Sequence, residues 1–242
     1  MRTIIAPALI AITLFYAQSA QAQPQIVGEW RIVEAKTPNS GSSYSGKVTI
    51  RPLSTSAYTL DWETNAGKYS GFGLLQGSML CVGWGTSQIP FGVVVYTLAP
   101  DKLVGTWTAT GLEGKIGTET ATRVRAGMGE TQAIEGTYDV RGVNPKTRVP
   151  YEGTLRITST PNSTIYAIQW DLGSVRYNGI GIRREQYLYV GWGHNQAFGV
   201  ILYDMRTEAG TAQGVWAIPQ ENAALGIENL QKISASPNKN RK

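Results

Sequence analysis

The sequence predicts an all-β protein: two tandem eight-stranded antiparallel up-and-down β-barrels behind a cleaved signal peptide. Three observations lead there. The stretch from Gly28 to Glu119 is written twice, short apolar–polar alternations recur every ten or so positions, and the composition is unusual for a soluble chain. Only 16% of residues are charged, against about 25% in an average soluble domain, while Gly 28, Tyr 12 and Trp 7 are plentiful. That balance suits strands joined by tight turns.

The duplication is explicit. Gly28 and Trp30 recur as Gly136 and Tyr138, Tyr44 and Gly46 as Tyr151 and Gly153, Tyr58 and Trp62 as Tyr166 and Trp170. Tyr69-x-Gly71-x-Gly73 returns from Tyr177 to Gly181, and Val82-Gly83-Trp84-Gly85 returns unchanged from Val190 to Gly193. Phe91-Gly92-Val93 matches Phe198-Gly199-Val200, Gly105 and Trp107 match Gly214 and Trp216, and Gly117 and Glu119 match Gly226 and Glu228. The offset stays between 107 and 109 residues, as from Tyr44 to Tyr151 and from Gly105 to Gly214. Such a period is too long for a solenoid and long enough for a small domain. The expected division is a signal peptide over 1–22, a first barrel over 26–126, a second over 134–233 and a polar basic tail over 234–242.

The elements follow in order. Arg2, the apolar run from Ile4 to Tyr16 and Ala20-Gln21-Ala22 make a secretory signal cleaved after Ala22, which points to a periplasmic or secreted protein. The period-two rule then gives strands near 28–35, 44–51, 57–63, 68–75, 79–84, 90–98, 102–110 and 117–124. The second copy repeats them near 136–142, 150–158, 165–171, 175–183, 186–192, 197–204, 212–217 and 225–233. An open sheet of eight strands leaves two edges that invite aggregation, and closure removes them. Gly46, Gly71, Gly73 and Gly83 are read as inward positions where strands coil sharply. The rival geometry is one sixteen-stranded outer-membrane barrel; the polar tail, with no aromatic closing strand, argues against it. Phe91 to Leu98 and Phe198 to Tyr203 are apolar on both faces, so their outer faces need a cover. Contact between the copies, or between chains, is expected near Phe91, Val93, Val95, Phe198, Val200 and Leu202.

Gly28-Glu29-Trp30, Gly105-Thr106-Trp107-Thr108 and Gly117-Thr118-Glu119-Thr120 resemble the Gly-x-Trp opening and closing strands of lipocalin and avidin-like (calycin-type) barrels. The wider pattern of Tyr-x-Gly, Tyr-x-x-x-Trp, Tyr-x-Gly-x-Gly and a final Gly-x-Trp resembles secreted bacterial repeat proteins of undefined activity, some labelled fibronectin-binding. The resemblance implies a barrel whose Trp30, and Tyr138 in the second copy, plug one end; Tyr138 then needs a partner for its hydroxyl. Biotin recognition does not carry over, since its ring of hydrogen-bonding side chains does not map onto this sequence residue by residue.

Chemistry is sparse. The formal charge of +5 falls to about +4 without Arg2, and much of the rest sits in Lys239, Arg241 and Lys242. No basic patch interleaved with aromatics announces nucleic acid, and no apolar run reaches the roughly 20 residues of a membrane helix. One cysteine, Cys81, and one histidine, His194, cannot furnish a conventional zinc site. His194 has no adjacent nucleophile or signposted carboxylate, so neither catalytic residues nor a cofactor are assigned. By alternation Asp61 and Glu63 point away from Trp62, and the repeated Glu119 and Glu228 read as strand-end carboxylates bonding loop amides. What remains is an aromatic set: Trp62, Tyr69, Trp84 and Trp107 in one copy, Trp170, Tyr177, Trp192 and Trp216 in the other. These residues either fill the barrels or line a cavity for a small apolar or ring-shaped ligand. The function expected is an exported, non-enzymatic binding protein holding such a ligand. Adhesion to an extracellular protein through the surface is the alternative, and an enzyme on the barrel scaffold comes third.

Overall fold

The computed structural model describes residues 25–86, 89–126, 134–206, 210–221 and 224–233. The expected signal peptide and basic tail lie outside the described residues. The first repeat forms β1 (Gly28–Lys36), β2 (Gly46–Pro52), β3 (Ala57–Thr64), β4 (Gly67–Gln76), β5 (Met79–Gly85), β6 (Phe91–Ala99), β7 (Lys102–Ala109) and β8 (Gly117–Ala126). The second forms β9 (Gly136–Val143), β10 (Pro150–Ser159), β11 (Ile165–Asp171), β12 (Arg176–Arg184), β13 (Tyr187–Gly193), β14 (Phe198–Asp204), β15 (Thr211–Ala217) and β16 (Gly226–Lys232). Each overlaps its expected segment. The hairpins are tight: β4 turns into β5 at Gly77, whose φ of 60° is left-handed, and Glu185 takes the same conformation (φ 53°) between β12 and β13.

The strands close into two eight-stranded antiparallel barrels, which excludes a single sixteen-stranded cylinder. The membership of each barrel corrects the expected domain boundaries. Barrel two is the unbroken run β6 to β13, closed where β13 pairs with β6 (Val190 beside Val94). Barrel one is β1 to β5 followed by β14 to β16, closed where β5 pairs with β14 (Val82 beside Ile201) and β1 with β16. Barrel two is therefore inserted into barrel one, and neither corresponds to residues 26–126 or 134–233. The cause is local. After β5 the chain crosses to the neighbouring barrel instead of doubling back, and after β13 it returns.

Three apolar clusters result. Trp30, Val48, Ile50, Leu60, Trp62, Leu80 and Tyr203 fill barrel one, and Val94, Tyr96, Tyr138, Leu155, Ile168, Trp170 and Leu188 fill barrel two. Between the barrels lie Cys81, Val93, Val95, Ile180, Ile182, Tyr189, Phe198, Val200 and Leu202. These side chains alternate with the interior ones along β5, β6, β12, β13 and β14, so both faces of those strands are dry where the barrels meet. Phe91, in the same seam, rests on Phe72 with ring centroids 5.5 Å apart. Burial there pushes the Cys81 thiol pKa up, leaving it a small apolar residue.

Gly83 departs from its expected inward orientation. Its missing side chain faces the other barrel, where a Cβ would collide with the backbone carbonyl of Gly92; Gly191 stands in the same relation to Gly199. The glycine within Val-Gly-Trp-Gly thus lets the backbones of two barrels touch, which explains why that motif is identical in both copies. Gly71 and Gly73 do face inward, against Trp62, Leu60, Leu80 and Val82.

Candidate functional site

Each barrel is closed at one end and hollow at the other. At the closed end of barrel one, the buried Trp30 donates its indole N–H to the Ile26 carbonyl at 2.8 Å. In barrel two, Tyr138 occupies the equivalent place and its hydroxyl donates to the Ile134 carbonyl at 2.7 Å. The tyrosine hydroxyl thus finds its partner on the carbonyl that matches the one met by the tryptophan.

At the other end, a carboxylate forms the floor of each hollow. In barrel one Glu228 is 2% exposed. Its Oε1 accepts the Trp62 indole N–H at 2.9 Å and the Tyr203 hydroxyl, while Oε2 accepts the Tyr44 hydroxyl at 2.7 Å. In barrel two Glu119 is 7% exposed. Its Oε1 accepts the Tyr96 hydroxyl and the Trp170 indole N–H (3.3 Å), and Oε2 accepts the Tyr151 hydroxyl at 2.7 Å. These positions correct the expectation of strand-end carboxylates bonding loop amides. By alternation Gly117, Glu119 and Ala121 share the inner face of β8.

Electrostatics follow from the enclosure. Burial raises the pKa of Glu119 and of Glu228 above the ordinary 4.5, and the phenol and indole donors pull each part of the way back. Burial and then the neighbouring carboxylate raise the pKa of Tyr44, Tyr96, Tyr151 and Tyr203, so these hydroxyls keep their protons and serve as donors. Three neutral donors around each carboxylate replace the hydration that burial removes.

Above each floor stand the aromatic walls. All eight aromatic residues singled out in the sequence line a cavity, but two have exchanged places. Trp62, Tyr69, Trp84 and Trp216 line the hollow of barrel one, and Trp107, Trp170, Tyr177 and Trp192 that of barrel two. The exchange of Trp107 and Trp216 follows from the insertion, because β7 belongs to barrel two and β15 to barrel one. The buried indole N–H groups of Trp107 and Trp216 lie beside the Tyr151 and Tyr44 hydroxyls without reaching full hydrogen-bond geometry.

The two hollows differ in size for a visible reason. In barrel one, Tyr44, Trp216, Trp84 and Tyr69 form a continuous chain of edge-to-face contacts, with centroids 6.3, 6.2 and 5.5 Å apart. Only about 120 Å³ remains inside. In barrel two, Trp107 meets Tyr151 at 6.2 Å and Tyr177 meets Trp192 at 4.9 Å, but among the described residues no ring contact joins Trp192 to Trp107. The cavity there is about 540 Å³ and is open at its rim. His194 sits beside Tyr177, centroids 4.9 Å apart, and is not part of the cavity lining.

Sequence reasoning missed Glu119, Glu228, Tyr44, Tyr96, Tyr151 and Tyr203. The available signal was that Glu119 and Glu228 are a matched acid pair on a strand face otherwise made of Gly and Ala or Leu. Asp61 and Glu63 point outward as expected, in exposed ion pairs with Arg51, Lys47 and Lys68. Among the described residues no three His, Cys, Asp or Glu side chains converge as metal ligands would. No protein-family model, no curated protein and no solved structure matches this chain, so the reading of the site rests on its own geometry.

Proposed function

We propose that the protein is an exported binding protein whose second barrel holds a small, ring-shaped, largely apolar ligand above Glu119. The observation that carries this reading is the open cavity of about 540 Å³ walled by Trp107, Tyr151, Tyr177 and Trp192. Its volume lies within the range typical of small-molecule sites, and few polar groups converge on an otherwise apolar lining. Val94, Leu112, Val149 and Leu172 complete that lining. Export is supported by the Arg2, Ile4–Tyr16 and Ala20-Gln21-Ala22 pattern of the N-terminal sequence. Binding fits better than catalysis because Glu119 is saturated by donors instead of being poised against a nucleophile or water.

The test is a titration of intrinsic tryptophan fluorescence with a panel of ring-shaped apolar compounds. A saturable change that disappears in Trp192→Ala supports cavity binding. A flat response across the panel rejects it.

A further inference from the structure

We infer that the cavity of barrel two selects organic cations, an ammonium group carried on a ring, with Glu119 and the Tyr151 hydroxyl oxygen as the counter-charge. This deepens the proposed binding function and rests on it. Among the described residues lining the cavity Glu119 is the one carboxylate, the phenols Tyr151 and Tyr177 are held protonated by burial, and no Lys, Arg or His is present. Its donors are two phenols and an indole, all neutral, so the negative charge it carries when ionised is dispersed but not cancelled. The walls add to this sign. Aromatic rings present a negative face, and a cage of them around a cation-sized space is the physical basis for recognising ammonium groups.

Hydrogen-bond direction points the same way. The Tyr151 proton is committed to Glu119 Oε2, so its oxygen offers only lone pairs, one side toward the Trp107 indole N–H and the other toward the cavity. A ligand N–H⁺ satisfies the cavity side, whereas an anion meets a carboxylate and ring faces of the same sign. Barrel one repeats the arrangement with Tyr44 and Glu228, but its continuous chain of aromatic contacts leaves too little room.

Proton linkage supplies an independent reading of the same contact. Burial raises the Glu119 pKa, so the empty site binds a proton at a pH where an ordinary glutamate does not. A bound cation favours the ionised form, and its affinity falls as pH drops through that raised pKa. The groups facing Glu119 are Tyr96 from β6, Tyr151 from β10 and Trp170 from β11, with Tyr177 of β12 beyond. Outside the wall, Arg141 of β9 and Glu152 of β10 pair with each other at 3.8 Å. His194 stands against Tyr177, ring centroids 4.9 Å apart, and does not line the cavity.

The experiment is calorimetry on the whole chain with three matched probes: 1-naphthylmethylammonium, 1-naphthalenemethanol and 1-naphthoate. Near neutral pH the ammonium should bind about tenfold more tightly than the alcohol, and the carboxylate more weakly than both. Glu119→Gln should bring the ammonium to within about twofold of the alcohol, leave the alcohol nearly unchanged, and flatten the pH profile. Should that variant fail to fold, Tyr151→Phe, checked by its circular-dichroism melt, should lose part of the ammonium preference. Equal binding of alcohol and ammonium overturns the inference while leaving cavity binding intact. Absence of saturable binding by all three probes overturns both.

Discussion

Trp62 and Glu228 are 166 positions apart in the chain, yet the indole N–H of one lies 2.9 Å from the carboxylate of the other in the interior of barrel one. The contact exists because β3 and β16 belong to the same barrel, and β16 returns to it only after barrel two has been threaded through. The mirror contact, Trp170 to Glu119, joins the repeats in the opposite sense. Each hollow is completed by side chains from both copies.

Removing the carboxylate should cost more than removing one of its donors. Glu228→Ala strands the Tyr44, Tyr203 and Trp62 donors and is expected to lose about 3 kcal/mol, against about 1 kcal/mol for Tyr44→Phe, in urea unfolding. A loss for Glu228→Ala no larger than for Tyr44→Phe contradicts the network.

Stability should fall as pH rises across the acid range. The folded-state pKa of Glu119 and Glu228 lies above the unfolded value near 4.5, so the native state holds more protons between the two values. The stabilisation is complete below about 4.5 and is lost as pH climbs through the raised pKa. Asp204, whose pKa Arg206 lowers, acts in the opposite sense and only at more acidic pH. Melting temperature against pH, in the parent and in the Glu119→Gln, Glu228→Gln double variant, checks this: the decline should flatten in the variant.

Gly83→Ala tests the seam between barrels. The new methyl meets the Gly92 backbone, which has no flexible end to move aside, and about 2 kcal/mol of destabilisation is expected. An unchanged urea midpoint would show that the barrels do not approach so closely.

Opening the chain of aromatics in barrel one should create a second usable site. Trp216→Ala breaks the contacts to Tyr44 and Trp84, and calorimetric stoichiometry for a ligand of barrel two should rise from about one to about two per chain. A ratio that stays at one refutes the account of why the hollows differ.

A protease site placed between β8 and β9 separates the repeats covalently. Because β1–β5 hold β14–β16 and β6–β8 hold β9–β13, the nicked halves should co-elute in native size-exclusion chromatography and part only in denaturant. Independent tandem barrels would separate at once.

Much of this was legible from residue pattern. Alternation placed the strands, and the two-sided apolar runs at Phe91 and Phe198 announced a covered outer face, because burial on both sides leaves no other trace. The eight wall aromatics were legible because each recurs at the matching position of the other copy. The insertion of one barrel in the other was not. β6 and β14 carry nearly the same sequence, so pattern cannot distinguish which of them pairs with β5. Glu119 and Glu228 were misread because an isolated acid on a strand is ordinarily solvated, and the donors that make burial tolerable come from distant strands.

The nesting also sets an order of assembly during synthesis. Barrel two needs nothing beyond Gly193, so it can close while the chain is still being made. β1 to β5 must meanwhile wait as a half-cylinder, with the edges of β1 and β5 bare until β14 to β16 emerge from the ribosome. The earliest-made part of the molecule is thus the last to be sealed, and during that interval it is the part most in need of a chaperone.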